Sequence, residues 1–292
     1  VRDAPPTFEG RPLAHPDEPV YDQGLAFDVE TLLDRRRVLK LLGLGGISAG
    51  LFVVAGCTPA AGGSPSADVS AAGPASGDAA SCSVIPEETA GPYPGDGSNG
   101  PDVLSQSGAV REDIRSSFGE YSGTAEGVPL TIRLAIQDAA NGCAPLAGAA
   151  VYLWHCDREG RYSLYSDGAT DQNYLRGVQA AGDDGIVTFT SIFPGCYAGR
   201  WPHVHFEVYP SLEAATDDAN KIATSQIALP EDTSNAVYAT SGYEASVGNM
   251  SRLSLATDNV FGEDGGVHQL GTITGSLADG LVVDLAVPVE TA

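Results

Sequence analysis

Two histidines two residues apart, His203 and His205, stand in the run Trp201-Pro202-His203-Val204-His205-Phe206-Glu207-Val208-Tyr209. On a strand, residues i and i+2 point to one face, so both imidazoles can reach one metal ion while Val204, Phe206 and Val208 turn to the core. His-x-His fits a surface strand as well as a metal site, and the remaining ligands decide the metal. Neither Cys-x-x-Cys nor His-Glu-x-x-His occurs, which removes the usual zinc layouts. Glu207 shares the histidine face. It would complete a two-histidine, one-carboxylate set suited to ferrous iron or to a metal hydrolase, and its simpler reading is a solvated edge residue. The neighbouring oxygen donors are tyrosines: Tyr197 follows the Pro194-Gly195 turn, and Tyr162 ends Glu159-Gly160-Arg161-Tyr162. With 11 tyrosines in the chain, any one alone reads as a packing residue with its hydroxyl at the surface. Arg200 by itself reads as a surface ion pair in an acid-rich chain, and His155 as an interior histidine held by hydrogen bonds.

In combination these residues are more specific. The segments VYLWHCDREGRYS (151–163), NYLRGVQAAGDDGIVTFTSIFPGCYAGR (173–200) and HVH (203–205) resemble those of intradiol ring-cleavage dioxygenases, including a secreted actinobacterial-type branch. The opening CSVIPEETAGPY (82–93) resembles the start of the same domain. The resemblance implies a mononuclear Fe(III) site with Tyr162, Tyr197, His203 and His205 as ligands and a water or hydroxide completing the sphere. Two phenolates and a hydroxide balance a trivalent ion, and hard anionic oxygens favour ferric over ferrous iron. It implies, further, that a catechol chelates the iron and that Tyr197 is the mobile ligand which takes up a substrate proton. Arg200 would lie where charge changes on the ring, with Gln226 behind it and Gly91, Pro92 and Tyr93 lining the substrate pocket. With O2 as co-substrate, the ring would open between its two hydroxyl-bearing carbons to a cis,cis-muconate-type diacid. In one respect the chain departs from the secreted relatives: they commonly carry a large aromatic residue before the loop tyrosine, where this sequence has Cys196. Either a disulfide holds that loop or the pocket is wider. A reading from another class is a catalytically silent β-sandwich used as a cell-surface binding module.

The elements that must position these side chains read mainly as strands. Val128–Asp138 alternates, and Ala149–Cys156, Ile186–Ile192, Val204–Tyr209, Ala223–Leu229, Gln269–Thr274 and Leu281–Val287 are strand-like, with Gly, Pro, Asp and Asn between them. Helical candidates are brief, Arg111–Ser117 and Asp232–Thr240. The expected fold is all-β: an antiparallel β-sandwich with long loops and a few short helices. Trp154 is expected in the core and Trp201 at the pocket rim.

The N-terminal part has another character. Arg35, Arg36 and Arg37 precede Val38-Leu39-Lys40 and the apolar, glycine-rich run Leu41–Ala55, which is shorter than the roughly 20 residues of a spanning helix. The pattern resembles a twin-arginine signal, and Val54-Ala55-Gly56-Cys57 resembles a lipobox, which implies cleavage before Cys57 and lipidation of its thiol. Residues 1–56 are then a signal with a long n-region, 57–81 an Ala/Gly/Ser/Pro tether, and 82–292 the enzyme domain. The domain would lie outside the cytoplasmic membrane, lipid-anchored or secreted. Setting Cys57 aside, Cys82, Cys143, Cys156 and Cys196 allow two disulfides in any of three pairings, or buried free thiols.

The net charge of -23 belongs almost wholly to the part beyond residue 56, where Lys221 is the only lysine. So acidic a surface is repelled by phosphate backbones and anionic headgroups, which excludes nucleic acid as a partner and leaves a lipid anchor as the membrane contact. A homo-oligomer is compatible with this sequence.

Overall fold

A computed structural model describes residues 82–291 and, before them, only Thr7–Phe8 and Arg11–Pro12, which pair as two short antiparallel strands. The expected export signal, the lipidated Cys57 and the tether lie outside the described residues. A disulfide, Cys82–Cys143, fastens the first described residue of the stretch 82–291 to the turn after the first long strand.

That strand, β1 (Pro129–Asp138), follows its alternation: Leu130, Ile132, Leu134 and Ile136 are buried while Arg133 points outward. β1 is the centre of one sheet. It pairs with β9 (Gly280–Val289) in parallel and with β5 (Ile186–Ile192) and the short β2 (Ala144–Pro145) antiparallel; β8 (Thr272–Ser276) closes the β9 edge. The parallel β1–β9 pair departs from the purely antiparallel expectation. It joins the first and the last long strand of the domain, which no hairpin connects.

The second sheet is antiparallel throughout, in the order β4 (Arg176–Ala180), β3 (Ala150–Trp154), β6 (His203–Tyr209), β7 (Ala223–Ala228). Its inner face supplies Val151, Leu153, Val204, Phe206, Val208 and Ile227 to a core shared with the first sheet. Each such side chain contributes roughly 1.5–3 kcal/mol on burial. The outer face is buried as well, beneath the loops before β1 and after β3, where Tyr152, Trp154, Tyr162, Val178 and Tyr209 form a second apolar cluster. Every residue of β3, β6 and β7 is therefore buried.

Two helices follow β7: α1 (Glu231–Tyr238), close to the expected position, and α2 (Glu244–Met250), which the sequence did not announce. Residues 111–117 are not helical. They run extended beside two strands, with single bridges Val110 to Val178, Asp113 to Thr190 and Ser116 to Thr124. Strand β4 was also missed, because RGVQA lacks the apolar alternation of its neighbours. Trp201 is buried rather than at a rim, its indole Nε1 donating to Leu229 O at 2.8 Å.

Candidate metal and substrate site

One row crosses the outer face of the second sheet: Arg176, Trp154, His205 and Gln226 are direct neighbours on β4, β3, β6 and β7. The indole of Trp154 stacks on the His205 imidazole with centroids 4.9 Å apart and planes 5° from parallel, which fixes the ring's orientation. His203 lies one turn of the pleat away, its Nδ1 2.6 Å from Trp201 O. With that nitrogen donating, Nε2 is the lone-pair nitrogen.

The two tyrosines arrive on loops that abut one another. Asp157 organises the first, accepting Glu159 N at 3.0 Å and Arg161 N at 2.9 Å and so turning the chain into Tyr162. Gly195 N donates to Asp157 O at 3.0 Å, and a Cβ at 195 would sit 2.5 Å from Arg158 O, so the loop of Tyr197 needs glycine there to pass this close. The helices hold the second loop from behind. Tyr238 and Tyr243 donate to Pro194 O and Phe193 O, Cys196 N donates to Ser246 Oγ, and Asn249 Nδ2 donates to Cys196 O.

The four side chains meet at one point. His203 Nε2 lies 3.0 Å from His205 Nε2, 3.2 Å from Tyr197 Oη and 3.3 Å from Tyr162 Oη. Burial, reinforced by the Arg200 charge, lowers the His203 pKa to about 3; burial and the neighbouring imidazole also hold His205 well below the ordinary histidine range. Both rings are neutral and present lone pairs. Burial pushes the Tyr197 phenol up to about 12 and holds that of Tyr162 well above the ordinary phenol range, so without a cation both keep their protons. His205 Nδ1 is buried without a hydrogen-bond partner. Two hard oxygen donors that a strong charge would ionise, beside two neutral imidazoles, fit a trivalent cation. Among the described residues no three His, Cys, Asp or Glu side chains converge.

Glu207 does not join this group. Its oxygens go to Tyr209 Oη at 2.7 Å and Lys221 Nζ at 3.1 Å, so neither the two-histidine, one-carboxylate set nor the solvated edge residue is what the fold builds. Arg200 and Gln226 do meet: Arg200 Nη2 donates to Gln226 Oε1 at 2.7 Å, and Gln226 Nε2 to Thr89 O at 2.9 Å. The residue missed is Asp258. It lies 58 residues along the chain from Arg200, accepts Arg200 Nε at 3.0 Å and Trp201 N at 2.7 Å, and no spacing rule reaches so far.

Of the opening segment, Gly91 lies against His205, a Cβ there meeting Cε1 at 3.4 Å, and the Tyr93 ring lies 4.9 Å from that of Tyr162. Pro92 offers only its carbonyl to Asn99. His155 is buried with both nitrogens engaged, by Cys156 O and Ser191 Oγ. Cys156 and Cys196 are buried free thiols, so among the described residues no second disulfide forms and the Tyr197 loop is held by hydrogen bonds instead. Burial pushes the Cys196 thiol up to about 12, which leaves it unreactive.

The fold is that of the intradiol ring-cleavage dioxygenases. Residues 99–206, a stretch that holds all four donor side chains, match the family model Dioxygenase_C, described as Dioxygenase. An intradiol ring-cleavage dioxygenase from Tetranychus urticae is 28% identical and superposes with a TM-score of 0.56 over 72% of this chain and 95% of its own. A chlorocatechol 1,2-dioxygenase from Rhodococcus opacus is 40% identical over 53 residues, 18% of this chain and 21% of the relative. This chain therefore matches about a fifth of that curated relative's length.

Proposed function

We propose that this chain is a non-haem Fe(III) intradiol dioxygenase acting on catechol-type substrates, with both atoms of O2 entering a cis,cis-muconate-type diacid. The observation that carries the reading is the convergence of Tyr162 Oη, Tyr197 Oη and His205 Nε2 on His203 Nε2 within 3.0–3.3 Å. These four residues would hold the ion, which when bound supplies Lewis acidity and a template for catechol and O2.

The rest of the work falls to the chain's own groups. Tyr197, on the loop after the Pro194-Gly195 turn, would be the ligand that leaves and accepts a substrate hydroxyl proton at its Oη, as the resemblance of that turn implies. The imidazoles, fixed by Trp201 O and by the Trp154 stack, stay in place. Arg200 is held between Asp258 and Gln226, so its guanidinium is oriented before substrate arrives and stabilises negative charge developing on the ring. Gly91 and Tyr93 form the wall along which the ring slides in and keep water from the site.

Purified protein loaded aerobically with iron should be burgundy, from tyrosinate-to-iron charge transfer, and should consume O2 when given catechol, protocatechuate, hydroxyquinol or a larger lignin-type catechol. A colourless protein that takes up no iron would overturn the reading.

We further propose that the domain is exported by the twin-arginine route and anchored through lipid on Cys57. The Cys82–Cys143 disulfide supports an oxidising compartment. Labelled fatty acid should enter the wild-type chain and not Cys57→Ser; equal labelling would refute the anchor.

A further inference from the structure

We propose that Arg176 is a positioning residue of this site: its guanidinium holds the Tyr93–Gly95 wall against the Tyr162 loop and thereby sets catechol affinity, a role that rests on the functional reading above. The side chain is fully buried, and among the described residues no carboxylate pairs with it. Instead all five of its N–H donors find oxygens. Nε donates to Ser163 Oγ at 3.0 Å, Nη1 to Pro94 O at 2.6 Å and Tyr152 Oη at 3.1 Å, and Nη2 to Tyr93 O at 2.9 Å and Ser163 O at 3.0 Å. Tyr152 Oη in turn donates to Pro94 O at 2.6 Å.

A buried charge is costly unless it is hydrogen-bonded, and an apolar residue would fill the same volume without that cost. What the charge adds is geometry. One planar fork grips two chain segments, Tyr93–Pro94 and Ser163, and these segments carry the two rings, Tyr93 and Tyr162, that face each other at 4.9 Å. Close approach is required as well: a Cβ on Gly95 would lie 2.9 Å from Nη1. A lysine at 176 could not replace the fork, because an ammonium presents three donors from one point.

The test uses the full chain, metal-free and iron-loaded, with Arg176→Met and the milder Tyr152→Phe, which removes one partner of the fork and its link to Pro94. In iron-loaded Arg176→Met, iron per chain should match wild type. Anaerobic catechol binding should weaken by about tenfold, KM should rise alongside it, and kcat should change by less than about threefold. In the metal-free protein, amide exchange across residues 93–103 should quicken while that of residues 203–209 stays slow. Tyr152→Phe should move the same readouts by about threefold, and it carries the test if Arg176→Met does not fold. Unchanged affinity and unchanged exchange in a folded variant would overturn the inference. So would a fall in kcat and iron content with KM unmoved. If the wild-type chain neither binds iron nor turns over catechol, the functional reading fails, and the exchange of the metal-free variants still decides whether Arg176 clamps the wall.

Discussion

Strand β6 places His203, His205 and Glu207 on one face, and its two halves end in opposite states. At the histidine end, donor atoms crowd together with too few partners: two imidazole Nε2 atoms 3.0 Å apart, two phenols beside them, and an imidazole Nδ1 with no partner at all. At the glutamate end both Glu207 oxygens are hydrogen-bonded, and the buried Asp96 Oδ2, which makes no hydrogen bond, faces the Lys221 ammonium. Glu207 bonds Tyr209 and Lys221, and Lys221 lies 3.5 Å from the buried Asp96. The strand is the same in both halves; the covering segments differ. Loops ending in tyrosines arrive over the histidines, whereas Lys221, just before β7, reaches the glutamate. A donor becomes a candidate ligand where its neighbours leave it unsatisfied, and an anchor of the fold where they neutralise it.

Breaking the open half should have the largest effect. Tyr162→Phe or His205→Ala should reduce iron affinity at least about 100-fold and abolish O2 uptake, since loss of mere supporting partners costs a metal site 10–100-fold. Iron content by atomic absorption checks this, and full turnover in either variant would refute the ligand assignment. Next comes Arg200→Gln, which keeps only the two N–H donors of an amide and removes a fixed cation. We expect a kcat loss of about 10²-fold at normal iron content.

The closed half should respond differently. Glu207→Gln should keep iron and turnover while lowering stability by about 1–3 kcal/mol in denaturant unfolding. Loss of iron in that variant would mean that the two halves are one site. The smallest effect is a pH slope. Burial, together with the Asp96 charge, raises the Glu207 pKa from 4.5 to about 7, with Lys221 and Tyr209 pulling it back only in part. The folded chain thus holds this proton where the unfolded chain has released it. Its contribution is fully present below about 4.5 and is lost as pH rises towards about 7. The fall in wild-type melting temperature across that window should be shallower in Glu207→Gln, and an identical slope would show that Glu207 does not titrate there.

Much of this was legible from local pattern. The alternation in β1, β5 and β6 reports one buried face per strand, and His-x-His must share a face whatever the fold. The misses also have physical causes. Segment 111–117 carries helix-compatible residues, yet its backbone groups are taken by β4 and β5. The sequence RGVQA hides β4, because Arg176 is buried through hydrogen bonds rather than through apolarity. Helix α2 owes its place to the Tyr197 loop that it supports.

By itself the sequence determined the two-sheet class, the shared face of His203 and His205, the two loop tyrosines, and the resemblance on which the proposed chemistry rests. These depend on residues close in the chain or on motifs met in order. Only the tertiary structure decided that Glu207 is neutralised, that Asp258 seats Arg200, that Arg176 grips the pocket wall, and that one disulfide forms where two were open. Each of those joins residues far apart in sequence. Whether a polar group is free or satisfied is settled by what folds over it, and no spacing along the chain carries that information.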